Sequence, residues 1–377
     1  RNITANGTVS VAITANTFVG ITGTQIAAFA SDEIAAMKPV TLAAISPTAV
    51  ASVDTGAIAL LSADQIKALT PAQFGALTNT ASTGQLAKLG ADQGAAITTA
   101  QAKVLDATDV AALTADAVDA MAPATLAAIA TTAFDDIANA AFASFTPAQI
   151  AAITPAQASA IDNGQAPYIG ADQAAAITTA QAAKLQAATV LALTSDAFGA
   201  LSPAAVSKLD FGSFGDTQAA YFSPAQAAAL TSKQVAVLDA NGHVDGLTSD
   251  AVAALTPAAF KGFVTNIGTL TSDAVAVITP AQLAALNATQ LEMFKATQAS
   301  YFNDAALAYL KDKGYTVIQS ATSTGHGIET TTIVDTAATV TSGSSTYLAG
   351  KKADSIVGST SADTIVGSSL NDTINGG

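Results

Sequence analysis

Residues 145–160 read FTPAQIAAITPAQASA, nearly the same phrase written twice, eight residues apart. A period of eight fits neither the 3.6-residue turn of an α-helix nor the two-residue alternation of a strand. Each phrase must therefore be a complete small element. Thr146 and Thr154 stand where a helix N-cap accepts an orphan N–H. Pro147 and Pro155 occupy the first helical position, where a missing N–H costs nothing. Gln149 and Gln157 follow at the capping-box spacing, and Phe145 with Ile150 has the spacing of a hydrophobic staple. Each octad thus reads as one capped helix of about five or six residues, whose closing apolar residue opens the next staple.

The same register extends along most of the chain. It runs from Ile21 to Leu77, from Leu89 to Leu209, from Phe222 to Leu238, from Leu247 to Phe263 and from Leu270 to Leu310. In all 36 registers the first position is Leu, Ile, Val, Met or Phe, and in 25 of them the second is Ser, Thr, Asp or Asn. Ten of the eleven prolines fall at the third position, so a continuous helix is excluded. A β-solenoid is the alternative, and the abundance of Ala and Gln argues against it. Helices this short do not persist alone. They have to stack, and the expected fold is a mainly α solenoid with an eight-residue repeat, its core a ladder of first-position residues. GADQGAAITTAQA at 90–102 returns as GADQAAAITTAQA at 170–182, which points to growth by block duplication.

The expected organisation is a strand-like segment at 1–20, the octad array at 21–310, a β-rich connector at 311–340, and a segment of different period at 341–377. The octads are interrupted around 78–88, 210–221 and 239–246. The last interruption reads LDANGHVDG. Its Asp239, Asn241 and Asp245, with His243 among them, alternate like oxygen ligands of a calcium loop. The other reading is a solvated turn. His326, in TGHGIE, reads as part of a Gly-flanked turn.

Composition narrows the function. The 377 residues carry a net charge of −14, one arginine and no cysteine. With no basic stripe, nucleic-acid binding is not expected. Lack of Cys removes disulfides and thiolate metal sites. Mean hydropathy is +0.42, yet polar residues interrupt the apolar pattern about every eight residues, so no transmembrane segment is expected. No N-terminal signal peptide is visible, and the chain reads as a piece of something longer.

At 349–377 the period becomes nine: AGKKADSIV, GSTSADTIV, GSSLNDTIN, GG. Asp354, Asp363 and Asp372 recur with it, each followed two residues later by Ile. This resembles the glycine-rich nonapeptide of RTX, or hemolysin-type calcium-binding, proteins. The resemblance implies the start of a parallel β-roll with two nonapeptides per coil, Ca²⁺ held by these aspartates and by turn carbonyls, and a secreted or bacterial cell-surface protein exported by a type I route. Several motif glycines are replaced, at Ser359, Lys352, Ser361, Ser368 and Leu370. Phrases such as LTPAQFGALT also resemble repeats found beside RTX segments in long bacterial surface proteins.

Catalysis is not expected, because the two histidines lie far apart and no Cys, Gly-rich phosphate loop or metalloprotease helix is present. Asp135 and Asp136 fall within the helical repeat. The expectation is a structural subunit of a surface layer, sheath, filament or biofilm matrix that self-associates into a polymer or lattice with the help of calcium. The alternative is an RTX-type adhesin that binds a cell-surface or glycan ligand through the insertion loops.

Overall fold

Two consecutive extended residues separate one helix from the next. In the computed structural model, Ile153 (φ −53°, ψ 131°) and Thr154 (φ −68°, ψ 154°) turn the chain between Pro147–Ala152 and Pro155–Ala158. Thr154 Oγ1 accepts the Gln157 N–H at 3.1 Å, and Gln157 Oε1 accepts the Thr154 N–H at 2.9 Å. The reciprocal box therefore closes as the sequence dictates. The protein is mainly α, built of many very short helices in regular repeated packing. The structure describes residues 2–3, 9–10, 18–212, 214–317 and the strands at 328–330, 332–334, 338–339, 346–349, 355–357, 364–366 and 373–375. It divides into two compact units, Arg1–Leu209 and Asp210–Gly377.

In the first unit every third helix stacks on its predecessor. Pro123–Leu126 carries Pro147–Ala152, which carries Ala171–Ala175, which carries Ser195–Ala200. Each begins 24 residues, or three octads, after the one below. A second column runs through Ala107–Ala112, Thr131–Phe134, Pro155–Ala158, Thr179–Ala182 and Pro203–Val206. A third runs through Ala63–Ala68, Ala91–Ala96, Ala115–Asp119 and Asn139–Ser144. Three octads thus make one coil with three sides. First-position residues are buried from Ile45 onward, and sixth-position residues such as Phe74, Phe134 and Phe198 fill the space between them. Within the second unit the same stacking links Pro224–Ala228, Ser249–Ala254, Ser272–Ala276 and Ala296–Ala299.

The position-five glutamine does more than cap. Gln181 Nε2 donates to Ile150 O at 2.7 Å and Ile153 O at 2.6 Å, 31 and 28 residues back. Ile153 O lies at the corner of the coil beneath, where the extended backbone leaves it without a helical partner, while Ile150 O already accepts the Ile153 N–H and takes the amide as a second donor. Gln65, Gln73, Gln85, Gln93, Gln101, Gln149, Gln157, Gln165 and Gln173 each donate to two carbonyls in the same manner. All are buried. Thr125 and Thr189, at the same position, reach one such carbonyl each, Ile97 O at 3.1 Å and Ile161 O at 2.7 Å.

Short strands lie at both ends. At the N-terminus, Asn2–Ile3 pairs antiparallel with Val9–Ser10. Phe18, however, is already buried, and its carbonyl accepts the Ile21 N–H at 3.2 Å, the bond a sixth-position residue makes. After the helix Asp304–Asp312, Tyr315–Val317 and Ile328–Thr330 form an antiparallel pair. Beyond it, Ala338–Thr339, Ser355–Val357 and Thr373–Asn375 pair in parallel, as do Thr332–Val334, Thr346–Ala349 and Thr364–Val366.

At Gly94 the backbone of the next coil comes close. Above Gly94 the fifth position is Ala117, and a Cβ on Gly94 would lie 2.0 Å from the Ala117 carbonyl oxygen. Gly94→Ala should therefore destabilise by about 1–3 kcal/mol, because backbone rather than a movable side chain must yield. Gly199, helical with nothing within 4 Å of such a Cβ, should instead gain about 0.5–1 kcal/mol as alanine. Urea unfolding of the two variants checks both signs.

Candidate functional sites

The four-residue insertion before Leu89 leaves the capping box intact. Thr78 N–H donates to Gln85 Oε1 at 2.8 Å, and Gln85 N–H donates to Thr78 Oγ1 at 2.9 Å. The box simply closes across a loop, which contains Ser82 in the left-handed region (φ 67°). Asn79 leaves this loop to reach the coil above, where its Nδ2 donates to Asp109 Oδ1 at 2.9 Å. Asp109 stands at the glutamine position. As a carboxylate it cannot donate to carbonyls, so the coil below supplies a donor instead.

Burial raises the pKa of Asp109 above the ordinary carboxylate value, against the hydrogen bonds from the Asp106 backbone and Asn79 that oppose the rise. Asp119 is also raised, chiefly by desolvation. Its Oδ1 is buried without a hydrogen-bond partner. The neighbouring cap Asp106 is shifted down, chiefly by the Asp109 N–H it accepts.

LDANGHVDG, read as a candidate calcium loop, folds as a helix end. The helix Ser232–Ala240 continues through Asp239 and stops at Gly242, whose φ of +81° suits glycine. His243 N–H donates to Leu238 O, and Gly242 N–H donates to Asp239 O. These are the paired bonds of a Schellman ending. Asp239 is fully buried. Its Oδ2 accepts the N–H of Val264 and both the N–H and hydroxyl of Thr265, at 3.0, 2.6 and 2.8 Å. Its Oδ1 accepts the Asn266 N–H at 2.8 Å. With both oxygens committed to the loop of the next coil, Asp239 is turned away from Asn241 and Asp245, which are exposed. His243 Nδ1 lies 2.5 Å from Asp216 Oδ1, bridging two of the interruptions.

The three expected ligands therefore do not converge. Among the described residues, no group of three or more His, Asp or Glu side chains is placed to hold a metal ion. Also among them, no helix is long and apolar enough to cross a membrane. Asp354, Asp363 and Asp372, and likewise His326, lie outside the described residues. The open grooves between coils are shallow. One lies beside Asp64, Lys67, Asp92 and Thr98, and another beside Lys261, Val264, Asn287 and Met293. Neither gathers catalytic chemistry.

No protein-family model matches the chain, and no curated protein matches it at a significant level.

The two raised carboxylates give a pH prediction. A folded-state pKa above the unfolded one contributes stability that is present below the unfolded value and lost as pH rises through the folded value. Asp109 and Asp119 therefore weigh against the folded state at neutral pH and cease to do so on acidification toward about pH 4. The double variant Asp109→Asn, Asp119→Asn should have a higher melting midpoint than the parent at pH 7. The difference should shrink between about pH 7 and pH 4, as thermal melts followed by circular dichroism can check.

Proposed function

We propose that this protein is an extracellular structural subunit, a repeat-built component of a bacterial surface layer, sheath, filament or biofilm matrix. The observation that carries the reading is the coil itself. Its walls are made of short Ala- and Thr-rich helices with little charge, and its polar groups are spent joining one coil to the next rather than building a pocket. Such a body supplies length and repeating surface, and that is what a lattice or filament needs from its subunit.

Calcium enters through the nonapeptides. Ile356 pairs with Ile374 in parallel register, 18 residues and two nonapeptides apart, and Ala338 pairs with Ile356 at the same interval. That interval is the one expected of a parallel β-roll with two nonapeptides per coil, and it supports the RTX-like reading. In such a roll Asp354, Asp363 and Asp372, with turn carbonyls, would hold Ca²⁺. Bound there, Ca²⁺ would neutralise part of the net charge of −14 and order the acidic turns only where calcium is plentiful, outside the cell.

Electron microscopy of the purified chain with millimolar Ca²⁺ and with chelator tests the reading. Filaments or sheets that form with calcium and are lost in Asp363→Ala are expected. Monomers under both conditions that instead bind cells or glycans would overturn it in favour of an adhesin.

A further inference from the structure

We infer that the first unit is a force-yielding element, built to lengthen under tension one coil at a time. The inference goes beyond the structural-subunit reading and stands without it, because it concerns a single molecule. Three observations carry it. First, the cross-coil bonds of the position-five side chains in the octads from Leu89 to Leu193 run between one coil and the coil immediately below. Gln149, Gln157, Gln165, Gln173 and Gln181 all reach back 28 residues to a corner carbonyl. Second, helices pack on helices one coil away, column by column. Third, the chain has no cysteine, so no covalent link short-circuits a coil.

Tension on the chain ends therefore loads these bonds in sequence, like the teeth of a zip, rather than all together. Releasing one coil frees one layer of core and its few glutamine bonds, and leaves the layer behind it with the same set of contacts as before. A globular core of comparable size has no such boundary and gives way at once.

The layers are not equal. Between Leu113 and Ser144 the fifth positions are Ala117, Thr125, Ala133 and Ala141, so side-chain amides to the coil below are missing there. That stretch is held by the rings of Phe134, Phe142 and Phe145, with centroids 6.0 and 5.0 Å apart, by the close approach at Gly94, and by the hydroxyls of Thr114 and Thr125, which donate to Leu89 O and Ile97 O. With the runs at Glu33, Thr41, Ala49 and Ala57 and at Thr189, Ala197 and Ala205, which also lack the amide, it is among the seams at which the lowest force should suffice.

The test is single-molecule stretching of the full chain between handles at its two termini. The expected trace shows contour increments of roughly 80 Å, the length of about 24 extended residues, or small whole multiples of that length. Gln157→Leu with Gln181→Leu should lower the force of some steps while leaving the increment unchanged. Release of the whole unit in one event of roughly 600–700 Å would overturn the inference. So would wild-type forces in the glutamine variant. The wild-type trace is decisive even if that variant does not fold.

Discussion

Everything in the helical units rests on one buried side-chain amide and the three jobs it does at once. A chain that turns every eight residues through two extended residues creates corners whose carbonyls no helix can satisfy. Burying such carbonyls unpaired would cost about 1–3 kcal/mol each. The position-five glutamine answers from the coil above, its Nε2 donating to one of them and to the helix-end carbonyl beside it while its Oε1 holds the N-cap N–H of its own helix. Both donors and the acceptor of the amide are used. A neutral group thus ties three pieces of backbone together without burying a charge.

Coil size and core composition follow from this. The bond reaches the corner three octads back, which fixes three sides per coil. Each side is then only one short helix wide, and the interior is narrow. One apolar residue per corner and one per helix fill it, and the remaining helical positions can be alanine. This is how a chain with only 5% aromatic residues builds a continuous core. Some departures from glutamine carry a compensation of their own. Thr125 and Thr189 keep one of the two bonds. Asp109 meets a donor from Asn79. Ala117 lets the backbone settle onto Gly94.

The octad, its caps and its prolines were legible in the sequence because they are local. Thr, Pro and Gln at fixed offsets have one physical meaning wherever they occur. The second job of glutamine was not legible, since the capping box alone accounts for its place at the third helical residue. The number of sides was hidden for a related reason: an eight-residue period says where the chain turns but not through what angle. Spacing left two readings open for the loop of Asp239. Alternating Asp, Asn and Asp around a glycine looks like a ligand set, but Asn-Gly behind a capped helical run equally marks a helix end. Only the three-dimensional neighbours, Val264 to Asn266, decide which way the carboxylate turns. The nonapeptide aspartates stand on the sequence pattern and lie outside the described residues.

Hydrogen exchange of glutamine side-chain amides, followed by nuclear magnetic resonance on the intact chain, tests the central claim most directly. The Nε2 protons of Gln149, Gln157, Gln165, Gln173 and Gln181, buried and bonded to the coil beneath, should exchange orders of magnitude more slowly than those of Gln25, which is exposed in the first coil. Exchange of the five at the rate of Gln25 would mean that the amides do not join the coils, and the account would fail.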